Sequence, residues 1–290
     1  MKKLFKKLGL ALTATALAVT TVVGLTACGG ESKTQMTALA FEGMDAEDYA
    51  FCVKKGNAEL KAQLDEFFAE QSTKDAINVS LNYHTGASET TIDYPTLSDN
   101  KGKTITMVTE AGFAPYEFTK TEGKGVVNGV GGVDVDMMML FCEKFDYKLD
   151  LLDVEFKAIP EEVNKSNDRI GAAGMTITEE RKLVVDFAVP YIKTKQFIIS
   201  KKGVDCSTMD SLKGKKIGCQ ESTTGDFIVG DAVAAVGSTE SATGELAGSG
   251  ATHNSYKKVS VAFQDLINGK LDAIVIDEFV AKGLVANYNA

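Results

Sequence analysis

Residues 172–191 read AAGMTITEERKLVVDFAVPY, and within a few positions they pass from an apolar run into a helix start. The run DRIGAAG (168–174) has the length of a short buried strand. Beyond it Thr178 stands where an N-cap is expected, and Glu179 and Glu180 follow in the first turn, where the helix dipole favours acids. Arg181 shares that turn, on the wrong side of the dipole. It is either a surface arginine paired with a nearby carboxylate or a guanidinium held for a ligand carboxylate, helped by free amides at the helix start.

The same grammar continues on both sides. TITMV (104–108) reads as a strand, VDVDMMMLFCEKF (133–145) as a helix, LDLLDV (149–154) as a strand and residues 159–164 as a short helix. After the strand in TKQFIISKKG (194–203) it restarts: KKIGCQ (215–220) is a strand, ESTTG opens a helix over DFIVGDAVAAV (226–236), and a Gly/Ser/Thr-rich stretch leads to a helix grouping Tyr256, Val259, Phe263 and Leu266. Gly269 ends that helix, and the strand LDAIVI (271–276) carries Asp277 at its carboxyl end. Strands alternating with helices specify an α/β protein.

Upstream, DYAFCVKKGN (48–57) reads as a strand and turn and ends Lys-Lys-Gly, as TKQFIISKKG does. Two similar strands far apart in sequence suggest paired crossings between two lobes. AELKAQLDEFFAEQ (58–71) sets Leu60, Leu64, Phe67 and Phe68 on one helical face, whereas residues 72–103, rich in Ser, Thr, Asn and Asp, read as a long connection.

Lys2, Lys3, Lys6 and Lys7 precede an uncharged run from Leu8 to Ala27, the layout of a secretory signal. The alternative is an uncleaved anchor. Removing the first 27 residues, which hold four lysines and no acid, takes the net charge from −9 to −13. That disfavours nucleic acid and anionic lipid as partners. The apolar fraction of 44% excludes disorder for the bulk of the chain. His84 and His253 are the only histidines and sit in polar stretches, so neither a metal centre nor histidine catalysis is expected. Cys52, Cys142, Cys206 and Cys219 follow no metal-ligand spacing and are expected to be mostly buried thiols, with a disulfide allowed but not indicated.

Polar groups collect at carboxyl ends of strands and at helix starts: Glu110, residues 174–178, residues 220–225 and Asp277. Two of these groups fall in each half. If the halves face each other, all four line one cleft, the usual ligand position in open α/β sheets.

Five blocks, TITMVTEAGFAPYEF (104–118), GGVDVDMMMLFCEKF (131–145), AAGMTITEERKLVVDFAVPY, LKGKKIGCQESTTGD (212–226) and INGKLDAIVIDEFVA (267–281), resemble in order those of the polar amino-acid solute-binding proteins of ABC importers, bacterial extracellular solute-binding family 3. Leu25-Thr26-Ala27-Cys28 resembles a lipobox, in which Cys28 is lipidated and tethers the protein outside the cytoplasm. The resemblance implies a two-lobed, periplasmic-binding-protein-like type II α/β fold whose two hinge strands let the lobes close over one amino acid. It further implies a monomer without cofactor or catalytic residues, whose partners are a free L-amino acid and ABC permease subunits. Residue by residue, Arg181 and the amides of Thr176 and Thr224 would take the α-carboxylate. Asp277, the Gly174 carbonyl and the Thr176 hydroxyl would take the α-ammonium. Phe113 and Phe156 would pack on the ligand side chain, with ordinary core packing as the alternative, and Glu110 and Gln220 would read its polar end. Glu117 is left outside the site.

The family normally continues beyond the last block into a hinge strand and a helix, and the segment that resembles this piece stands near the amino terminus. The order implies a circular permutation; a truncated member with an unrelated extension is the alternative. The expected layout is a signal peptide over 1–27, a tether over 28–36, one lobe over 54–197 and a second lobe from 37–53 plus 198–290. The leading function is capture and delivery of an amino acid with a polar or cationic side chain. A lyase or dehydratase on the same fold, with Glu110 as general acid, and a ligand-sensing domain are the competing readings.

Overall fold

The computed structural model describes residues 34–96, 102–204, 206–234 and 244–290; the signal segment, Cys28 and the first part of the tether lie outside them. Along the chain run β1 (Met36–Ala40), β2 (Glu47–Tyr49), β3 (Cys52–Lys54), α1 (Ala58–Ala69), α2 (Gln71–His84), β4 (Thr104–Thr109), β5 (Phe118–Thr119), β6 (Val130–Gly131), α3 (Val133–Lys144), β7 (Lys148–Asp153), α4 (Ile159–Asn164) and β8 (Arg169–Gly171). They are followed by α5 (Glu179–Val184), β9 (Val185–Phe187), β10 (Ile192–Thr194), β11 (Gln196–Lys201), β12 (Lys216–Gln220), α6 (Thr224–Val233), β13 (Thr252–Tyr256), α7 (Val259–Ile267), β14 (Ala273–Asp277) and α8 (Glu278–Asn289).

Two five-stranded sheets organise the two lobes, in the orders β7-β4-β8-β3-β9 and β1-β11-β14-β12-β13. In the first, β4 runs parallel to β7 and β8, while β3 is antiparallel to β8 and β9. In the second, β12 is parallel to β13 and β14, and β11 is antiparallel to β14 and β1. The chain passes between them twice, and the passages pair as an antiparallel ribbon in which Tyr49 faces Ile192 and Glu47 faces Thr194.

α1 forms because Asn57 caps it, its Oδ1 accepting from Leu60 N at 3.3 Å, and because its apolar stripe has a core to enter. Leu60, Leu64, Phe67 and Phe68 are all buried, each worth about 1.5–3 kcal/mol, and Phe68 meets Phe51 edge-on with centroids 4.9 Å apart.

Four expectations are corrected. The segment 72–103 is not one long connection, since α2 fills its first part. Several of its inward positions are polar, so apolar periodicity is weak: Ile77 is buried, but Ser80, His84 and Tyr94 all converge on buried Asp136 Oδ2, at 2.8, 3.0 and 3.3 Å. Tyr256 does not join α7 but closes β13, a strand too polar to read from its pattern. The strand around Tyr49 lies beside β10 rather than beside residues 196–200, whose neighbours are β1 and β14. The lobe boundaries shift accordingly: Cys52 and Val53 pair in the first sheet, and Gln196 and Phe197 pair in the second. Cys52, Cys142, Cys206 and Cys219 are buried thiols. Among the described residues no helix is long and apolar enough to cross a membrane.

Candidate functional site

α5 begins as its sequence implies, with Thr178 Oγ1 accepting from Arg181 N at 3.2 Å. Arg181 is not a surface residue: it is 9% exposed, and its guanidinium crosses the cleft. Nη1 donates to the Thr176 carbonyl of its own lobe at 2.7 Å, and Nη2 donates to the Ser222 carbonyl of the other lobe at 2.8 Å. The Phe156 ring lies against it, 5.2 Å from Cζ to the centroid. Burial pulls the pKa of the guanidinium down, while Asp277 and Glu47 push it back up.

Opposite this donor stands an acceptor group. Glu47 Oε2 accepts from Thr176 Oγ1 at 2.7 Å and from Thr224 Oγ1 at 2.8 Å, so one carboxylate on a crossing strand bridges both lobes. Gln196 Nε2, where the other passage enters β11, lies 3.1 Å from Glu47 Oε1 and 2.9 Å from Asp277 Oδ1. Asp277 is buried, and burial with Glu47 close by raises its pKa to about 7.

A second cluster lies at the end of β4. Glu110, 1% exposed, accepts through Oε2 from Gln220 Nε2 of the other lobe at 3.1 Å. Lys258 Nζ stands 3.2 Å from Oε1. Phe113 is buried and flanks Gly174, whose φ of +51° and tight approach to Phe113 and Tyr49, about 3.1 Å from any added Cβ, leave room for glycine alone. Gly174 N donates to Asp134 Oδ2 at 2.9 Å, and Asp134, whose pKa burial raises to about 7, also accepts from Tyr191 OH at 2.6 Å.

The structure therefore brings Arg181, Thr176, Thr224 and Asp277 into one network, Glu110 and Gln220 into another, and Phe113 against Gly174. Phe156 is placed on the arginine. Glu47, Gln196 and Lys258 were missed. The first two lie where the chain crosses between lobes, and the paired Lys-Lys-Gly strands were the signal that could have led to them; Lys258 is one of two surface-type lysines before a helix and carries no local signal. Glu117, left outside the site, is fully buried, and burial together with Asp134 and Glu110 holds its carboxyl well above the usual range.

Among the described residues one group has metal-ligand donors close together: ligand atoms of Cys219, Asp226 and His253 lie within 4.8 Å of one another. Asp226 is already engaged, 2.7 Å from His253 Nε2 while accepting from Ser255 Oγ at 2.7 Å and Ser222 N at 2.9 Å. Burial pushes the Cys219 thiol up, away from the thiolate that a metal needs. These contacts brace the Ser222–Thr224 turn.

The pattern that defines the bacterial extracellular solute-binding proteins, family 3, matches residues 105–284, more than half of the chain. The chain belongs to this family. As a family 3 solute-binding protein it is a binding protein rather than an enzyme, which sets aside the lyase and dehydratase reading. The L-arginine-binding protein of Pseudomonas aeruginosa is 30% identical to it over 188 residues, 64% of each chain. The arginine-binding extracellular protein ArtP of Bacillus subtilis is 28% identical over 188 residues, 64% of this chain and 66% of that relative. The solute-binding protein thus spans just under two thirds of these relatives' own length. A solved structure, an ancestral arginine-binding protein bound to arginine, superposes with a TM-score of 0.55 at 32% identity, covering 66% of this chain and 76% of that one.

Proposed function

We propose that this protein is an extracytoplasmic receptor, lipid-anchored through Cys28 and monomeric, that captures one free L-amino acid between its lobes and delivers it to the permease of an ABC importer. The observation that carries the reading is the facing of a buried guanidinium, Arg181, and two carboxylates, the buried Asp277 and the half-buried Glu47, inside one interlobe cleft. A zwitterion needs donors at one end and acceptors at the other. Arg181 and the amides of Thr176 and Thr224 receive the α-carboxylate. Asp277, the Gly174 carbonyl and the Thr176 hydroxyl receive the α-ammonium. Phe113 packs on the side chain, Glu110 and Gln220 read its polar end, and Phe156 steadies Arg181. Relatives named for arginine support a polar or cationic side chain. Calorimetry and thermal shift with the twenty amino acids, cystine and ornithine test the reading. Binding near micromolar, roughly 8 kcal/mol, is expected, and no heat and no melting shift with any of them would sink it.

The chain order is read as a circular permutation. Support comes from the end of α8, where Asn289 Nδ2 donates to the Met36 carbonyl at 2.8 Å and Met36 N donates to Asn289 Oδ1 at 2.9 Å. A short loop would join α8 to β1 directly, and permutation is tolerated where two such ends lie close together. In this reading α1, α2 and the segment up to residue 103 carry the rearranged end round to β4.

A further inference from the structure

We propose that Lys258 sets the side-chain preference of the cleft by acting as a built-in cation on Glu110. The inference rests on the amino-acid reading above, and it makes the native site favour neutral polar side chains over a guanidinium or ammonium.

Glu110 belongs to the first lobe, and its two partners belong to the second: Gln220 ends β12 and Lys258 precedes α7. The Glu110 side chain is 2% exposed and that of Lys258 is 45% exposed, so the carboxylate is fixed in the cleft while the ammonium reaches it from the rim. The geometry of the pair is electrostatic rather than directional. Lys258 Nζ lies 3.2 Å from Glu110 Oε1, yet among the described residues neither Glu110 Oε1 nor Gln220 Oε1 accepts a hydrogen bond. Gly112 leaves the carboxylate room, since a Cβ there would lie 2.8 Å from Oε1.

Two consequences follow from charge. A buried carboxylate needs a counter-charge, and Lys258 supplies it when the lobes are together. The two N–H groups of an amide side chain can donate to the open oxygens, Oε1 of Glu110 and Oε1 of Gln220, while that ion pair persists. A cationic side chain brings a second positive charge beside Lys258, and it binds only when the half-exposed lysine swings into water. Lys258 therefore acts through Glu110 as a filter against cationic ligands.

The test compares wild type with Lys258→Gln and Lys258→Arg by calorimetry against L-arginine, L-lysine and L-glutamine. The Gln variant is expected to bind L-arginine and L-lysine at least tenfold more tightly than wild type does, with less than a twofold change for L-glutamine. The Arg variant keeps the charge and should retain the wild-type ranking. Unaltered arginine affinity in Lys258→Gln, with amino-acid binding intact, overturns this inference alone. Absence of any amino-acid binding by wild type overturns the receptor reading and this inference with it. Equal melting temperatures for the three proteins exclude misfolding as the source of any change.

Discussion

Arg181 of the first lobe donates through Nη2 to the main-chain carbonyl of Ser222 in the second, at 2.8 Å. A single side chain from a helix start thus bridges the cleft, and the carbonyl it touches lies in a turn at φ +64°, one residue before the Thr223 cap of α6. The residue assigned to a ligand carboxylate is also one that feels whether the lobes are together.

Replacing Arg181 with Ala should therefore cost about 2–5 kcal/mol of amino-acid binding, because the carboxylate would enter the cleft without its charged partner. The fold should hold, since the cap at Thr178 uses the backbone of residue 181. Calorimetry on the variant decides it, and wild-type affinity in Arg181→Ala would remove the clamp from the mechanism.

Asp277 makes stability and binding depend on pH in opposite senses. Its pKa is raised to about 7 in the folded protein, from the ordinary carboxylate range near 4, so between those limits the folded state holds more protons than the unfolded one. Its contribution to stability falls as pH climbs from about 4 to 7 and is level above that. Asp277→Asn should flatten this part of the profile in chemical denaturation of the ligand-free protein. A ligand ammonium favours the ionised form, so binding near pH 7 should release protons, seen as an enthalpy that varies with the ionisation heat of the buffer.

The α1 stripe offers a test of packing independent of any ligand. Leu64→Ala should destabilise the protein by about 2–5 kcal/mol, because the site is fully buried and bounded by other elements of the core. Amides across residues 49–71 should exchange slowly, with core-like protection; rapid exchange there would contradict the packed, rearranged order.

Processing gives the last expectation. Cys28→Ala should release the protein from the membrane fraction or leave a precursor of higher mass, as read by fractionation and mass spectrometry. An unchanged distribution and mass would leave the lipobox without a role.

The alternation of strands and helices, the start of α5 and the sheet-end positions of Glu110, Gln220 and Asp277 are legible in the residues alone, because these are local properties: periodicity, caps and the direction in which a strand delivers its last residue. α4 falls over residues 159–164 as its pattern implied, and Gly269 ends α7 with φ +74°. What the sequence could not determine was set by partners distant along the chain. α2 is helical although Thr73, Ser80 and His84 break up its inward apolar face, because Asp136, 52 residues beyond His84, accepts what Ser80 and His84 donate. Glu47 and Gln196 enter the cleft because two crossing segments pair as a ribbon between lobes. Lys258 looks like any exposed lysine until the lobes meet and leave Glu110 in need of a charge. Buried polar groups are fixed by whichever opposite group folding brings within about 3 Å, and that distance is a property of the tertiary structure alone.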